Sequence, residues 1–320
     1  QGGDIMKPSG IGGQAVLEGI MMKNKDKYAV AVRKPNQEIE VCVKEYKGIT
    51  KGNKILNLPF IRGVFNFIDS LIIGMSTLMF SAEFYEEEET EEVKKGDKVA
   101  DSLFKEKAES AVMTITVIVA ALIAIGLFVV LPSIASDLIK KHFHIISYTI
   151  ISLIEGLIRI TLFLIYIFLI SRMKDIQRTF MYHGAEHKCI NCIEHGMELN
   201  VDNVLKSSRL HKRCGTSFLF LVMAISIIFF ILIPVQQPVM KIVVRILMIP
   251  VIAGVSYEVL RFAGQHEGKL VDIVSAPGMA LQKLTTKEPD EKMAEVAIKA
   301  VEAVFDWRTF LAENSEETNQ

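Results

Sequence analysis

Four long apolar runs limit what this chain can fold into more than any other feature: residues 111–131, 145–170, 216–233 and 239–259. As a helix, each covers a hydrocarbon core of about 30 Å, the third with nothing to spare. Half of the 320 residues are apolar and many of them gather in these runs, which points to a membrane rather than to one large soluble core. The net charge is −1, so there is no direct nucleic-acid signature.

The connections set an orientation. The segment between the second and third runs carries Arg172, Lys174, Arg178, Lys188, Lys206, Arg209, Lys212 and Arg213, whereas residues 234–238 carry no charge. The positive-inside rule puts the basic segment in the cytoplasm, and an even number of spans then puts both termini there. Residues 55–82 are apolar but interrupted near helical spacing by Arg62, Asn66, Asp69, Ser70, Ser76 and Thr77, which predicts an amphipathic or re-entrant helix at the interface. An acidic linker and lead-in helix follow over 83–110, with residues 83–92 read as a solvated loop.

Before these, in 10–54, residues 28–32 and 39–43 are β-rich runs around Lys34-Pro35-Asn36-Gln37, a hairpin pattern. Gly10 to Ala15 match G-x-G-x-x-A, but no βαβ unit surrounds them, so they read as a flexible glycine turn. Glu18 stands in an apolar context, either as a surface carboxylate or as a contributor to a metal site. Beyond the fourth run, in the 261–320 segment, Asp290 is placed to cap a helix whose stripe is Met293, Val296, Ala297, Ala300, Val301 and Val304.

Chemistry concentrates in the 171–215 loop. His183, His187, His195 and His211 are four of the seven histidines, and Cys189, Cys192 and Cys214 are three of the four cysteines. These side chains are common ligands for zinc and similar ions, and a reducing cytoplasm favours metal thiolates over disulfides. Two patterns compete. His183-x-x-Glu186-His187 follows the inverzincin order, two histidine ligands with a glutamate base. Cys189-x-x-Cys192 with His211-x-x-Cys214 has the spacing of a structural zinc staple. On one helix at about 100° per residue, His183, Glu186 and His187 share a face while Cys189 and Cys192 point away. Either the helix breaks near Lys188, or the two sets have different uses. Within the second and fourth runs, Glu155, Arg159, Arg245 and Glu258 are intramembrane charges whose plain reading is mutual neutralisation inside the bundle.

The strings GGQAVLEGIMM from Gly12, YHGAEHKCINCIEHG from Tyr182, HKRCGTSFLF from His211, SAPGM from Ser275 and LQKLTTKEPD from Leu281 together resemble the YqhQ-like family of bacterial membrane proteins. That family is a domain of unknown function labelled as predicted metal-dependent enzymes. The resemblance implies a multi-pass bacterial inner-membrane protein with metal-type residues His183, Glu186, His187, Cys189, Cys192, His211 and Cys214. The expected fold is an α-helical polytopic membrane protein, with helix pairs at 111–170 and 216–260 and a small mixed α/β cytoplasmic domain. Two functions follow. One is a zinc-dependent hydrolase with Glu186 as base. The other is a zinc-stapled scaffold or assembly partner for membrane proteins or cytoplasmic machinery. Membrane lipid is the expected surrounding in both.

Overall fold

The computed structural model describes residues 8–90, 100–266 and 268–318. The protein is mostly helical, with one small four-stranded antiparallel sheet. Five helical segments are long and apolar enough to cross a membrane. Four of them, Thr114–Phe143, Tyr148–Ile170, Gly215–Leu232 and Pro238–Gln265, cover the four apolar runs. The fifth, Ile61–Tyr85, covers the segment expected at the interface and is also long and apolar enough to cross. The chain divides into two compact units, described separately.

The first unit comprises Gln1–Glu87, Ile167–Val222 and Ala253–Gln320. Its sheet is a meander of β1 (Gly12–Val16), β2 (Gly19–Asn24), β3 (Lys27–Arg33) and β4 (Ile39–Glu45). The expected hairpin is β3–β4, with Val30 opposite Cys42. The glycine turn is corrected: Gly12 to Ala15 belong to β1. The strands alternate with period two. Ile20, Met22 and Ala31 face one core, while Val16, Met21, Tyr28, Val30 and Val32 face another. β3, buried on both faces, reads as a nearly continuous β-rich run, whereas β1 is short, glycine-rich and mostly unburied and β2 lacks β-branched alternation, so these two carry no clear strand signal.

The first core is closed by α5 (Lys174–Glu194), α6 (Val201–Lys206) and α10 (Glu291–Glu302). Asp290 caps α10 by accepting from Met293 N at 2.8 Å, and the expected stripe from Met293 to Val301 is buried. The second core is closed by α1 (Ile61–Thr90). Asp69, Ile73, Thr77 and Ser81 are the buried stripe of α1, spaced four apart on one face. Asp69 accepts from Tyr46 Oη at 2.7 Å and Ser81 Oγ from Leu17 N at 3.1 Å. The opposite face leaves Leu71, Ile72, Leu78 and Met79 exposed. The acidic stretch from Glu83 continues α1 as helix to Thr90 rather than forming a loop; residues 91–92 lie outside the described residues. Glu258, near the end of α8 (Pro238–Gln265), pairs with Arg62 of α1 at 2.5–2.7 Å and not with the charges of α4 (Tyr148–Ile170).

The second unit comprises Glu88–Tyr166 and Met223–Ile252. It holds α2 (Ala100–Ile125), a π-helical turn (Gly126–Val130), α3 (Leu131–Phe143) and parts of α4, α7 (Gly215–Leu232) and α8. Glu155 is its polar centre, 1 % exposed. It accepts from Arg159 at 3.2 Å, Arg245 at 2.6 Å, Lys241 at 3.2 Å and Ser136 at 3.3 Å. Arg159 also donates to Phe128 O at 2.8 Å, a carbonyl in the π turn, where the helical hydrogen-bond pattern is interrupted.

Candidate metal centre

Helix α5 runs unbroken through His183-x-x-Glu186-His187 and Cys189-x-x-Cys192, so their residues separate by face. Tyr182, Ala185, Cys189, Cys192 and Ile193 enter the apolar core. Burial pushes the Cys189 thiol well up, and the Cys192 thiol up to about 11. Cys192 donates to Glu198 O at 3.4 Å. Both behave as packed core thiols, poorly disposed to ionise.

The other face carries His183, Glu186 and His187. Among the described residues, the three that bring metal-ligating atoms together are His183, His187 and Cys214, all within 4.8 Å of one another. His183 Nε2 lies 3.2 Å from Cys214 Sγ. The opposite ring nitrogens are occupied: His183 Nδ1 donates to Thr285 O at 2.9 Å and His187 Nδ1 to Arg209 O at 2.6 Å. A carbonyl can only accept, so each Nδ1 carries the proton and each Nε2 keeps its lone pair. This second contact of a ligating histidine is what fixes ring and tautomer at metal sites.

The return of Cys214 to α5 is built by polar side chains on the helix itself. Lys188 donates to the carbonyls of Leu205 and Ser207, both at 2.8 Å. Asn191 donates to those of Ser208 at 2.7 Å and Leu210 at 3.0 Å. Gln282 of α9 (Lys269–Thr285) clamps the backbone of His211 at 2.7 and 2.8 Å. Gly184 lets the strand-like segment after α9 approach α5: a side chain there would collide with the Lys287 carbonyl. That approach is what carries Thr285 O to His183. Cys214 itself accepts from Thr216 N at 3.4 Å at the start of α7, the end where a helix favours negative charge.

Glu186 is 5 % exposed. Burial raises its carboxyl above the usual range, against the opposing pull of His183 and of the Gly13 N–H that it accepts. A side chain at Gly13 would press on Met22 and on the Glu186 carboxyl, so β1 meets α5 only through glycine. The two polar sets meet a cavity of about 610 Å³, lined by His183, Glu186 and Cys214 together with Gly13, Gln14, Lys23, Lys25 and Thr216.

The remaining expected residues lie elsewhere. His211 faces Glu194 at 3.3 Å, with its ring centre 5.8 Å from that of His187. Burial lowers the His211 pKa, against the pull of Glu194. Burial works against the Glu194 charge, but His211, Arg213 and Ser9 hold its carboxyl at about 2. Glu18 pairs with Arg178 and accepts from Tyr182 Oη at 3.3 Å, the plain reading of that residue. Gln14, Lys23, Lys25 and the Thr285 carbonyl were not singled out by sequence. For Thr285 a signal existed: Gln282, Thr285 and Thr286 form a polar stripe at helical spacing on an otherwise amphipathic segment.

The donor set of two imidazoles and one thiolate suits zinc with a fourth position left open. The ligand atoms of two histidines and one cysteine gathered within 4.8 Å, with both Nδ1 atoms already engaged, are the observation that makes the residues fit such an ion.

The uncharacterized protein YqhQ of Bacillus subtilis (strain 168) is 34 % identical over 298 residues, covering 92 % of this chain and 91 % of the relative. No solved structure matches. Residues 58–307 match the family described as Protein of unknown function (DUF1385), and the chain belongs to that family.

Proposed function

We propose that this protein is a membrane-embedded, metal-dependent hydrolase with His183, His187 and Cys214 as ligands and Glu186 as general base. The observation that carries the reading is the meeting of α5 and the Cys214 segment at one cavity: His183, Glu186 and Cys214 line the same 610 Å³ space, with His187 buried beside them. A closed staple would bury its ligands on one another. Here Cys189 and Cys192 pack in the core instead.

The ion, when bound, supplies Lewis acidity toward a hydrolysable group. The chain supplies the rest. Thr285 and Arg209 hold the imidazoles in the Nδ1–H tautomer. Gly13 N–H holds the Glu186 carboxylate. Burial strengthens Glu186 as a base, so a carboxylate oxygen takes a proton from water admitted by the cavity and returns it to the leaving group. The basic 171–213 stretch orients the site toward the cytoplasm. Helix α1, one face clad by the sheet, lies in the interface with its apolar face to lipid.

Untagged protein, assayed for bound metal and for hydrolysis of ester, amide and phosphoester probes, tests this. Glu186→Gln keeps the ion and lowers turnover by about a hundredfold or more, the usual worth of a general base. Loss of the ion, or full turnover without the carboxylate, contradicts the assignment.

A further inference from the structure

We infer that the cavity over the metal centre takes the phosphate-bearing headgroup of an anionic membrane lipid. This deepens the hydrolase reading, and its catalytic meaning rests on that reading.

The first argument is depth. Cys214 immediately precedes Gly215, the first residue of α7, and Gly215 and Thr216 line the cavity. Helix α7 has 18 residues, so at 1.5 Å per residue it spans about 27 Å, against a hydrocarbon core of about 30 Å. A helix with no spare length must place its first residue at the hydrocarbon boundary. The metal-type trio therefore lies at headgroup level, where soluble substrates and lipid heads meet.

The second argument is charge. Lys23 and Lys25 line the cavity. Among the described residues, neither makes an ion pair; the Lys23 ammonium rests 5.5 Å above the Tyr46 ring. Facing them, Glu186 is the carboxylate of the lining and is already held by Gly13. Two ammonium groups outside the ion pairs of the described residues, with Asp26 acting on Lys23 only at longer range, attract an anionic head at an interface, and each contributes through both contact and long-range field.

The third argument is the wall. Ala15, Met21, Ile73 and Phe180 give the cavity an apolar side. Ile73 and the exposed Ser70 of α1 both line the cavity, and from Ser70 the helix surface leads round to the exposed Leu71 and Ile72. An amphiphile can set its head against the lysines and the trio and lay its acyl chain along α1. A free phosphate ester would use the lysines and leave the apolar wall and the α1 face without a role.

The test uses the full-length protein in phosphatidylcholine nanodiscs doped with photoreactive phosphatidate or photoreactive phosphatidylcholine, with cross-links mapped by mass spectrometry and metal measured on the same samples. Phosphatidate should label the peptides carrying Ile73 and Phe180 at about ten times the phosphatidylcholine level or more, and the double variant Lys23→Glu, Lys25→Glu should abolish that preference with metal content and thermal midpoint unchanged. Inorganic phosphate at millimolar concentration should not displace the label. Equal labelling by both lipids, a preference that survives charge reversal, or displacement by inorganic phosphate overturns the proposal. Headgroup-selective labelling in protein that holds no metal would keep the lipid site and refute the hydrolase, so the two failures are separable.

Discussion

Two buried polar groups in this molecule look alike in sequence and differ in what they leave unsatisfied. In the second unit, Glu155 accepts from four donors, and Arg159 and Lys241 find further partners in Ser226 at 2.7 Å and Asp137 at 2.7 Å. The guanidinium groups of Arg159 and Arg245 also sit 5.1 and 4.8 Å from the Phe230 ring. Of the cluster's buried side-chain atoms, Arg245 Nε is left without a partner. In the first unit, each imidazole of the His183–His187 pair uses one nitrogen on a backbone carbonyl, and the ligand atoms of the pair lie within 4.8 Å of Cys214, which lines a cavity with His183. Saturation makes a polar cluster structural. Ligand atoms gathered beside a cavity are what the proposed metal reading rests on.

The largest effect should come from opening the closed cluster. Glu155→Gln leaves Arg159 and Arg245 without a carboxylate partner and Lys241 with Asp137, and removal of one partner from a buried ion pair costs about 3–5 kcal/mol. Reversible unfolding in mild detergent should show that loss, with the metal content of the folded fraction unchanged. A loss under about 1 kcal/mol would mean the cations are hydrated, and the cluster would then resemble an open site.

A smaller effect is expected at Glu194, the carboxylate faced by His211, Arg213 and Ser9. Glu194→Gln weakens charge-assisted bonds to His211, Arg213 and Ser9, a loss of about 1.5–3 kcal/mol. The pH dependence has a definite sign. The folded carboxyl titrates at about 2, below its ordinary 4.5, so its contribution is complete above 4.5 and disappears as pH falls toward 2. The parent should lose stability across that window, measured by thermal midpoint against pH, and the variant should lose less. Parallel curves would place the charge outside the energetics of the fold.

How much of this was legible follows from what is local. The four apolar runs, the β3–β4 hairpin, the Asp290 cap with its stripe and the shared face of His183, Glu186 and His187 are all periodic signals within one element. What packs on a face is not local. Cys-x-x-Cys spacing resembled a staple, yet an unbroken α5 turns Cys189 and Cys192 into the core. Cys214 reaches His183 across 31 positions only because Lys188 and Asn191 hold the intervening backbone. Glu258 finds Arg62 at a separation of 196. The α1 stripe was visible as polar interruptions, but the first half of the sheet that covers it was not, because β1 is a short glycine-rich strand and β2 an apolar run without polar alternation.

The most direct measurement is metal content in paired cysteine variants of the untagged protein, prepared under reducing conditions without chelator. Cys189→Ala removes a core thiol, so it should keep the ion and cost about 1 kcal/mol of stability. Cys214→Ala removes a thiolate from the open trio and should lose the ion while the sheet and α5 core stay folded. Retention of metal by Cys214→Ala together with its loss in Cys189→Ala would contradict the account, and would return the ion to a closed cysteine staple.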